Sequence, residues 1–422
     1  MLMFPAKITF KADKTLEQRM DVLKFVTLSS ITLLLGLQSA GGFAHDTAYA
    51  PKPSNQRAIE FPDTNKYKTL AIDLHIHSVF SDGHVWPNIR VAEAQQDGLD
   101  AIAMTEHLEW QPHLADIPHP DRNRSYQEAA ESAKGSDLIV LSGSEITRDL
   151  PAGHINAIFI NDANKLINVE GAAKNSTDTE VFGKAAIKWP AQEAVEAAHK
   201  QGAFMFWNHP NWSNRETSGI TKINTFHAKN AEKGKLHGIE VANTHWYAEA
   251  AFQTALDYDL ALIGTSDVHD LIDWDYLPHE GGHRPVTLVF AKEKTADSIK
   301  EALFARRTAV WFKNLLIGRE KDLGPLLASS IKVKSMKYQT DTVIAEIGIE
   351  NISDANFDAR YTGPYSLGLS SDRFQLPAHS TTVIEVKPGK RLEALELPIT
   401  LENTLVTPET HATMVLKAAL NK

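Results

Sequence analysis

The sequence predicts an α/β protein in which a largely parallel sheet closes into a barrel, followed by a smaller β-sandwich-like accessory domain. Three observations lead there. Over residues 67–314, short apolar β-rich runs alternate with amphipathic helical stretches, the pattern of repeated β–α units around a parallel sheet. Histidines and carboxylates recur where those β runs end. From about Leu315 the texture changes to apolar–polar alternation separated by turn-rich segments, which suits a sandwich.

Taken in order, residues 1–44 read as an export signal. Phe25 to Leu37 is an uncharged apolar run of 13 residues preceded by Lys24, with the small residues Gly42 and Ala44 where a signal peptidase reads. A bilayer needs roughly 20 such residues. The stretch before Met20 is unlike a signal n-region, which makes Met20 an alternative start. The mature chain is therefore expected in the periplasm or outside the cell, beginning at His45, with no stable membrane insertion. Residues 45–66 read as a linker.

The barrel region follows. Strands are expected at Thr69–His77, Asp100–Glu106, Leu138–Glu145, His154–Ile160, Ala203–His209, Gly238–Asn243, Ala261–Ser266, Val286–Ala291 and Thr308–Phe312. Helices are expected at Pro87–Asp97, with proline in the first turn and Gly98 past its end, and at Ser125–Lys134, Pro190–Gln201, Ala248–Leu260 and Thr295–Arg307. Within the accessory domain, 315–422, Ile331–Lys337, Thr342–Ile349, Thr381–Val386 and Ala412–Lys417 read as half-buried strands.

Composition narrows the chemistry. The formal net charge is −10, and the first 44 residues carry five basic and three acidic side chains, which leaves the rest at −12. Such a chain is a poor binder of polymeric nucleic acid, whose phosphates are held by clustered Lys and Arg. There is no cysteine, so thiolate metal sites, cysteine nucleophiles and disulfides are excluded. Any metal must be held by imidazole and carboxylate.

Most of the 18 histidines fall between His75 and His283. In Asp73-Leu74-His75-Ile76-His77 two imidazoles stand two apart on a strand and so share a face. Ser81-Asp82-Gly83 is a tight turn that presents a carboxylate nearby. Later β runs end in Thr105-Glu106-His107, Gly143-Ser144-Glu145, Asn208-His209-Pro210 and Ser266-Asp267-Val268-His269, and His154 opens the fourth. A barrel brings such ends together at one face.

In this order the motifs resemble those of the PHP (polymerase and histidinol phosphatase) family over roughly residues 70–312. The second motif more often reads Thr-Asp-His in that family, and His107 is retained here. The resemblance implies a distorted (βα)7 barrel with two or three divalent metals held by His75, His77, Asp82, His107, Glu145, His154, His209, Asp267 and His269. Glu145 would bridge, and Glu145 and Asp267 would serve catalysis. In overall layout the chain also resembles exported members described as phosphodiesterases.

Six imidazoles and three carboxylates without sulfur suit Mn²⁺ first, with Zn²⁺ or Fe²⁺ as alternatives. The expected function is hydrolysis of a small phosphate ester, a diester in preference to a monoester, by a metal-bridging hydroxide, which places the enzyme among the phosphodiesterases. Arg284 is a candidate for binding a phosphate oxygen, and His245 for protonating the leaving alkoxide. Trp207 and Trp246 are candidate walls of a leaving-group pocket, with Trp86, Trp110, Trp212 and Trp274 also near the motifs. The alternatives are a phosphomonoesterase of the same fold, an amidohydrolase-type barrel and a metal-containing binding protein. An amidohydrolase would place Lys or a carboxylate on the fourth strand, where His154 stands.

Overall fold

The apolar run Lys68–Ile76 (β1) is buried at every position but its first, as a strand flanked on both faces must be. In this computed structural model residues 58–213, 222–368 and 371–420 are described. The segment expected to direct export, the expected cleavage site and the first part of the expected linker lie outside them. No described helix is long and apolar enough to cross a membrane.

β1 pairs in parallel with Ala101–Met104 (β2), and β2 in parallel with Ile139–Thr147 (β3). His154–Ile158 (β4) runs antiparallel to β3 and also to Phe204–Trp207 (β5). Parallel pairing resumes with Gly238–Asn243 (β6). The two-residue Trp246–Tyr247 (β7) folds back on β6, and Ala261–Thr265 (β8) pairs with β6 in parallel. A bridge between Ile76 and Val268 then joins the end of β1 to the segment after β8. It is supported by Asp267 N donating to His75 O at 2.9 Å and His77 N to Val268 O at 3.2 Å.

β1–β6 and β8 thus form a seven-stranded barrel with one strand reversed. The reversal has a local cause. A parallel crossover needs about a dozen residues or more, whereas only residues 148–153 separate β3 from β4. Leu70, Ile72, Leu74, Phe204, Phe206 and Ile263 fill one layer of the core.

Helices occupy Pro87–Gln96, Arg124–Ser132, Ala191–Lys200, Glu249–Asp257 and Ala296–Phe304, each within a few residues of expectation. Several further helices were not anticipated, and two of them carry clear N-terminal caps. Thr179–Ala186 is capped by Asp178, which accepts from Glu180 N and Val181 N, and Thr225–Glu232 is capped in the same way by Asn224.

Val286–Ala291 (β9) pairs antiparallel with β1, Thr308–Phe312 (β10) with β9, and Leu315–Gly318 (β11) with β10. Beyond a helix at Glu320–Ser330 come Ile331–Tyr338 (β12), Ala345–Asn351 (β13), Phe357–Tyr361 (β14), Ser366–Leu367 (β15), Arg373–Leu376 (β16), Ser380–Lys387 (β17), Ala394–Thr407 (β18) and Thr410–Ala419 (β19). One sheet runs β12-β13-β17-β15, while β16, β14, β18 and β19 form the other. Ile347, Phe357, Ile384, Leu397 and Leu416 are buried in the accessory core.

The junction with the barrel is continuous. β11 hydrogen-bonds to β10 on one edge and in parallel to β18 on the other, so the strand that opens the accessory region belongs equally to the barrel's sheet. Leu405 of β18 is buried in a cluster with Phe252, Val310, Phe312 and Ile317.

Candidate metal centre

His75 and His77 project from the same face of β1, with their Nε2 atoms 3.0 Å apart. Asp267 Oδ1 lies 3.2 Å from the first and 3.1 Å from the second. Glu145, fully buried on β3, is central. Its Oε1 is 3.0 Å from His154 Nδ1, 3.5 Å from His75 Nε2 and 3.6 Å from His209 Nε2, and its Oε2 contacts His107 Nδ1. At the mouth, Asp82 Oδ1 stands 3.1 Å from His269 Nε2, and Oδ2 is 3.4 Å from His107 Nε2. The structure therefore brings together all nine residues that the resemblance implies as ligands, in four overlapping groups of three or four.

The spacing and chemistry fit divalent cations. Ligands about 2.1 Å from a metal stand roughly 3.0–3.4 Å from one another in octahedral or tetrahedral shells, which matches the His75, His77 and Asp267 triangle. Two imidazole nitrogens facing each other need a cation or a proton between them. The buried oxygens Asp82 Oδ1 and Glu145 Oε2 accept no well-formed hydrogen bond. Electrostatics agree. Burial opposes charge on His75, yet Asp267, Glu240 and Glu145 lift its pKa to about 10. Burial, with His269 and His107 nearby, pushes His77 down to about 4. Burial notwithstanding, surrounding imidazoles hold the Asp82 and Asp267 carboxyls well below the usual carboxylate range.

Outer contacts fix these groups. Glu240 Oε1, buried on β6, is 2.8 Å from His75 Nδ1 and accepts from Thr265 Oγ1 at 2.6 Å, which turns Nε2 of His75 toward the cluster. Its other oxygen accepts from His209 N and from Asn243 Nδ2 at 3.0 Å. Asn208 Nδ2 donates to Glu145 Oε1 at 2.7 Å. Glu106 points away from the cluster. It accepts from Ser78 N at 3.0 Å and from the Ser81 and Ser125 hydroxyls at 2.5 and 2.6 Å, so the glutamate of Thr105-Glu106-His107 secures the turn that carries Asp82. Gly83 permits that turn, because a Cβ there would stand 2.7 Å from the backbone of His77 and Ser78. His209 and Asp267 both have positive φ, 25° and 51°, conformations that side chains adopt only when the surroundings impose them. Arg90 holds the mouth together by donating to the carbonyls of His77, Val268, His269 and Asp270.

Glu240→Gln is expected to weaken metal retention about 10- to 100-fold, the usual scale for losing the carboxylate behind a ligating histidine. Metal content after dialysis against a graded chelator series would measure it, and retention equal to the parent protein would contradict the role.

The substrate candidates fare differently. A cavity of about 770 Å³ opens over the cluster, and its remaining walls include Trp110, Pro210, Val241, Trp246 and Ala248. Trp246 is thus at the site, as expected. Trp207 is not, because it is a core residue stacked 4.2 Å from His227. Arg284 is fully buried away from the cavity, with Nε 2.9 Å from Asp97 Oδ2 and Nη1 3.3 Å from Asp73 Oδ2. It is a structural cation, not a phosphate ligand. His245 is exposed on a separate cavity with Tyr276 and Lys313 and cannot reach the cluster, because β6 ends before it and the chain turns outward at Thr244. Trp86 packs edge-on against Phe80, Trp274 is exposed on a short helix, and the side chain of Trp212 lies outside the described residues. Trp110, named among the tryptophans near the motifs, lines the cavity, whereas Glu240 was missed. A lone glutamate within Gly238-Ile239-Glu240-Val241-Ala242-Asn243, an otherwise apolar strand, was the available signal.

Comparison with known proteins agrees with this geometry. A family profile described as a PHP domain matches residues 73–205, and one described as an Ig-like domain matches 331–417. The crystal structure of a two-domain protein from Bacteroides vulgatus, containing a predicted PHP-like metal-dependent phosphoesterase, is 37% identical with a TM-score of 0.75. The match covers 86% of this chain and 99% of that one. A protein from Bifidobacterium adolescentis assigned as a metal-dependent phosphoesterase is 18% identical over 57% of this chain and 98% of its own, with a TM-score of 0.37. An amidohydrolase from Chromobacterium violaceum is 18% identical over 47% and 87%, with a TM-score of 0.31. Likenesses as weak as these last two carry no weight. No curated protein matches the chain by sequence.

Proposed function

Because the chain belongs to the PHP-like metal-dependent phosphoesterases, we propose that its substrates are phosphodiesters. One observation supports the diester over the monoester: among the described residues, the walls of the 770 Å³ cavity include no Lys or Arg. Among these described walls a monoester dianion would find no lysine or arginine for its second charge. A diester carries one charge, and its second substituent can lie against Trp110 and Trp246, a burial worth about 1–3 kcal/mol.

The nine clustered side chains are proposed as ligands for two or three divalent ions, which the four overlapping groups support. Mn²⁺ is favoured, with Zn²⁺ or Fe²⁺ as alternatives, since imidazole and carboxylate without thiolate suit these ions. When bound, such ions acidify a water and neutralise phosphoryl oxygens. The chain's own part is positional. Glu145 and Asp267 set the spacing of the cluster, Glu240 holds His75 and the backbone of His209, and the aromatic walls orient the ester and limit water access. Export to the periplasm or beyond remains part of the proposal.

With Mn²⁺ present, kcat/KM for bis(p-nitrophenyl) phosphate should exceed that for p-nitrophenyl phosphate by tenfold or more, and Trp246→Ala should penalise the diester more. A tenfold preference for the monoester would make the enzyme a phosphatase instead.

A further inference from the structure

We infer that the substrate runs from the metal cluster into a second, polar groove completed by the Ig-like domain, and that this groove takes a hydroxyl-rich, uncharged alcohol such as a sugar. The inference rests on the diesterase reading, because only a diester has a second alcohol to place there.

A groove of about 580 Å³ adjoins the catalytic cavity, and Asn211 lines both. β7 separates the two. Trp246 lines the catalytic cavity and the next residue, Tyr247, lines the groove, as alternation along an extended segment requires. One wall is the helix Glu249–Asp257, which presents Glu249 and Gln253 one turn apart. The other is the tip of the β18–β19 hairpin, with Thr407 and Glu409. That tip is held firmly. Two residues before Thr407, Leu405 pairs with Ile317 of β11 and is buried with Phe252 of the opposite wall. The accessory domain therefore contributes a fixed face to the groove.

The groups on these walls select the ligand. Glu249 and Glu409 are acceptors for hydroxyl hydrogens. Gln253 donates from Nε2 to Asp257 at 2.8 Å, which leaves its carbonyl oxygen as a further acceptor. The Tyr247 hydroxyl is buried and has no hydrogen-bond partner among the described residues. No Lys or Arg lines the groove among the described residues, so a second phosphate or a carboxylate tail is disfavoured. A cationic head group would meet two carboxylates but only one aromatic ring, Tyr247, far from the cage that quaternary ammonium ions select. Acceptors, amides and hydroxyls together match a polyol. Trp110 and Trp246, 42% and 74% exposed, offer flat apolar faces for the C–H side of a sugar ring near the phosphate.

The test compares three diesters of equal leaving group, ethyl p-nitrophenyl phosphate, glucose 6-(p-nitrophenyl phosphate) and choline p-nitrophenyl phosphate, alongside p-nitrophenyl phosphate. The glucose diester should exceed the ethyl diester at least tenfold in kcat/KM. Glu409→Ala and Gln253→Ala should each bring that ratio to within threefold of one, by slowing the glucose diester. Equal rates on the glucose and ethyl diesters, a ratio unmoved by both variants, or preference for the choline diester would overturn the groove assignment and leave the diesterase intact. If all three diesters fall tenfold or more below the monoester, the diesterase reading itself is overturned, and the groove assignment with it.

Discussion

Asp267→Asn is expected to lower kcat toward a diester by at least about 10²–10³-fold while leaving the fold intact, the scale on which one preorganised charge is felt in a transition state. The substitution preserves shape and removes charge at an oxygen that stands 3.1–3.2 Å from both His75 Nε2 and His77 Nε2. Asparagine cannot match a carboxylate that the surrounding imidazoles hold ionised far below its ordinary range. The measurements are turnover of bis(p-nitrophenyl) phosphate in metal-controlled buffer, metal content and circular dichroism. Parent-like turnover by a variant that keeps its full metal content would remove Asp267 from the proposed ligand set.

Arg284→Ala is expected to destabilise the protein by about 3–5 kcal/mol, the usual result of stranding buried carboxylates. Arg284 lies fully buried between Asp73 and Asp97. Asp73 in turn accepts from Ser266 N at 3.1 Å and from Ser266 Oγ at 2.6 Å, just before Asp267. Loss of the guanidinium therefore leaves two buried acids uncompensated and loosens the join between β1 and the segment after β8. Urea unfolding should show the loss, while the diester-to-monoester preference of the folded variant stays as in the parent. A variant of full stability with KM raised for both esters would instead return Arg284 to the phosphate.

The barrel strands and the nine clustered residues were legible because each is a local signal. A strand buried on both faces reads as an apolar run, and a histidine at its end is conspicuous. What failed was long-range. Arg284 in Gly281-Gly282-His283-Arg284-Pro285 looks like a loop cation, and only the fold reveals that Asp73 and Asp97, some two hundred residues earlier, enclose it. Trp207 precedes Asn208 and His209, yet strand alternation turns it away from the cluster and onto His227. His245 follows β6 by two residues, and the positive φ of Thr244 carries it off the cavity. Glu240 was overlooked because a single acid in a strand has no periodic partner to mark it. In the accessory domain, the missed strands include Phe357–Tyr361, Arg373–Leu376 and the long β18, whose proline at position 398 and changes of register obscure an alternating pattern.

The strand β18 has a bearing on how such chains can be recombined. Its first half belongs to the Ig-like fold, while Thr404 and Leu405 close the edge that β11 would otherwise present to solvent. A gene fusion or truncation that severed the two regions near Leu315 would uncover an unpaired strand edge and an apolar hole beside Phe252, both invitations to aggregation. The Ig-like region and the barrel are thus bound into one physical unit at this edge, and a chain engineered without it would need some other segment to cover the same edge.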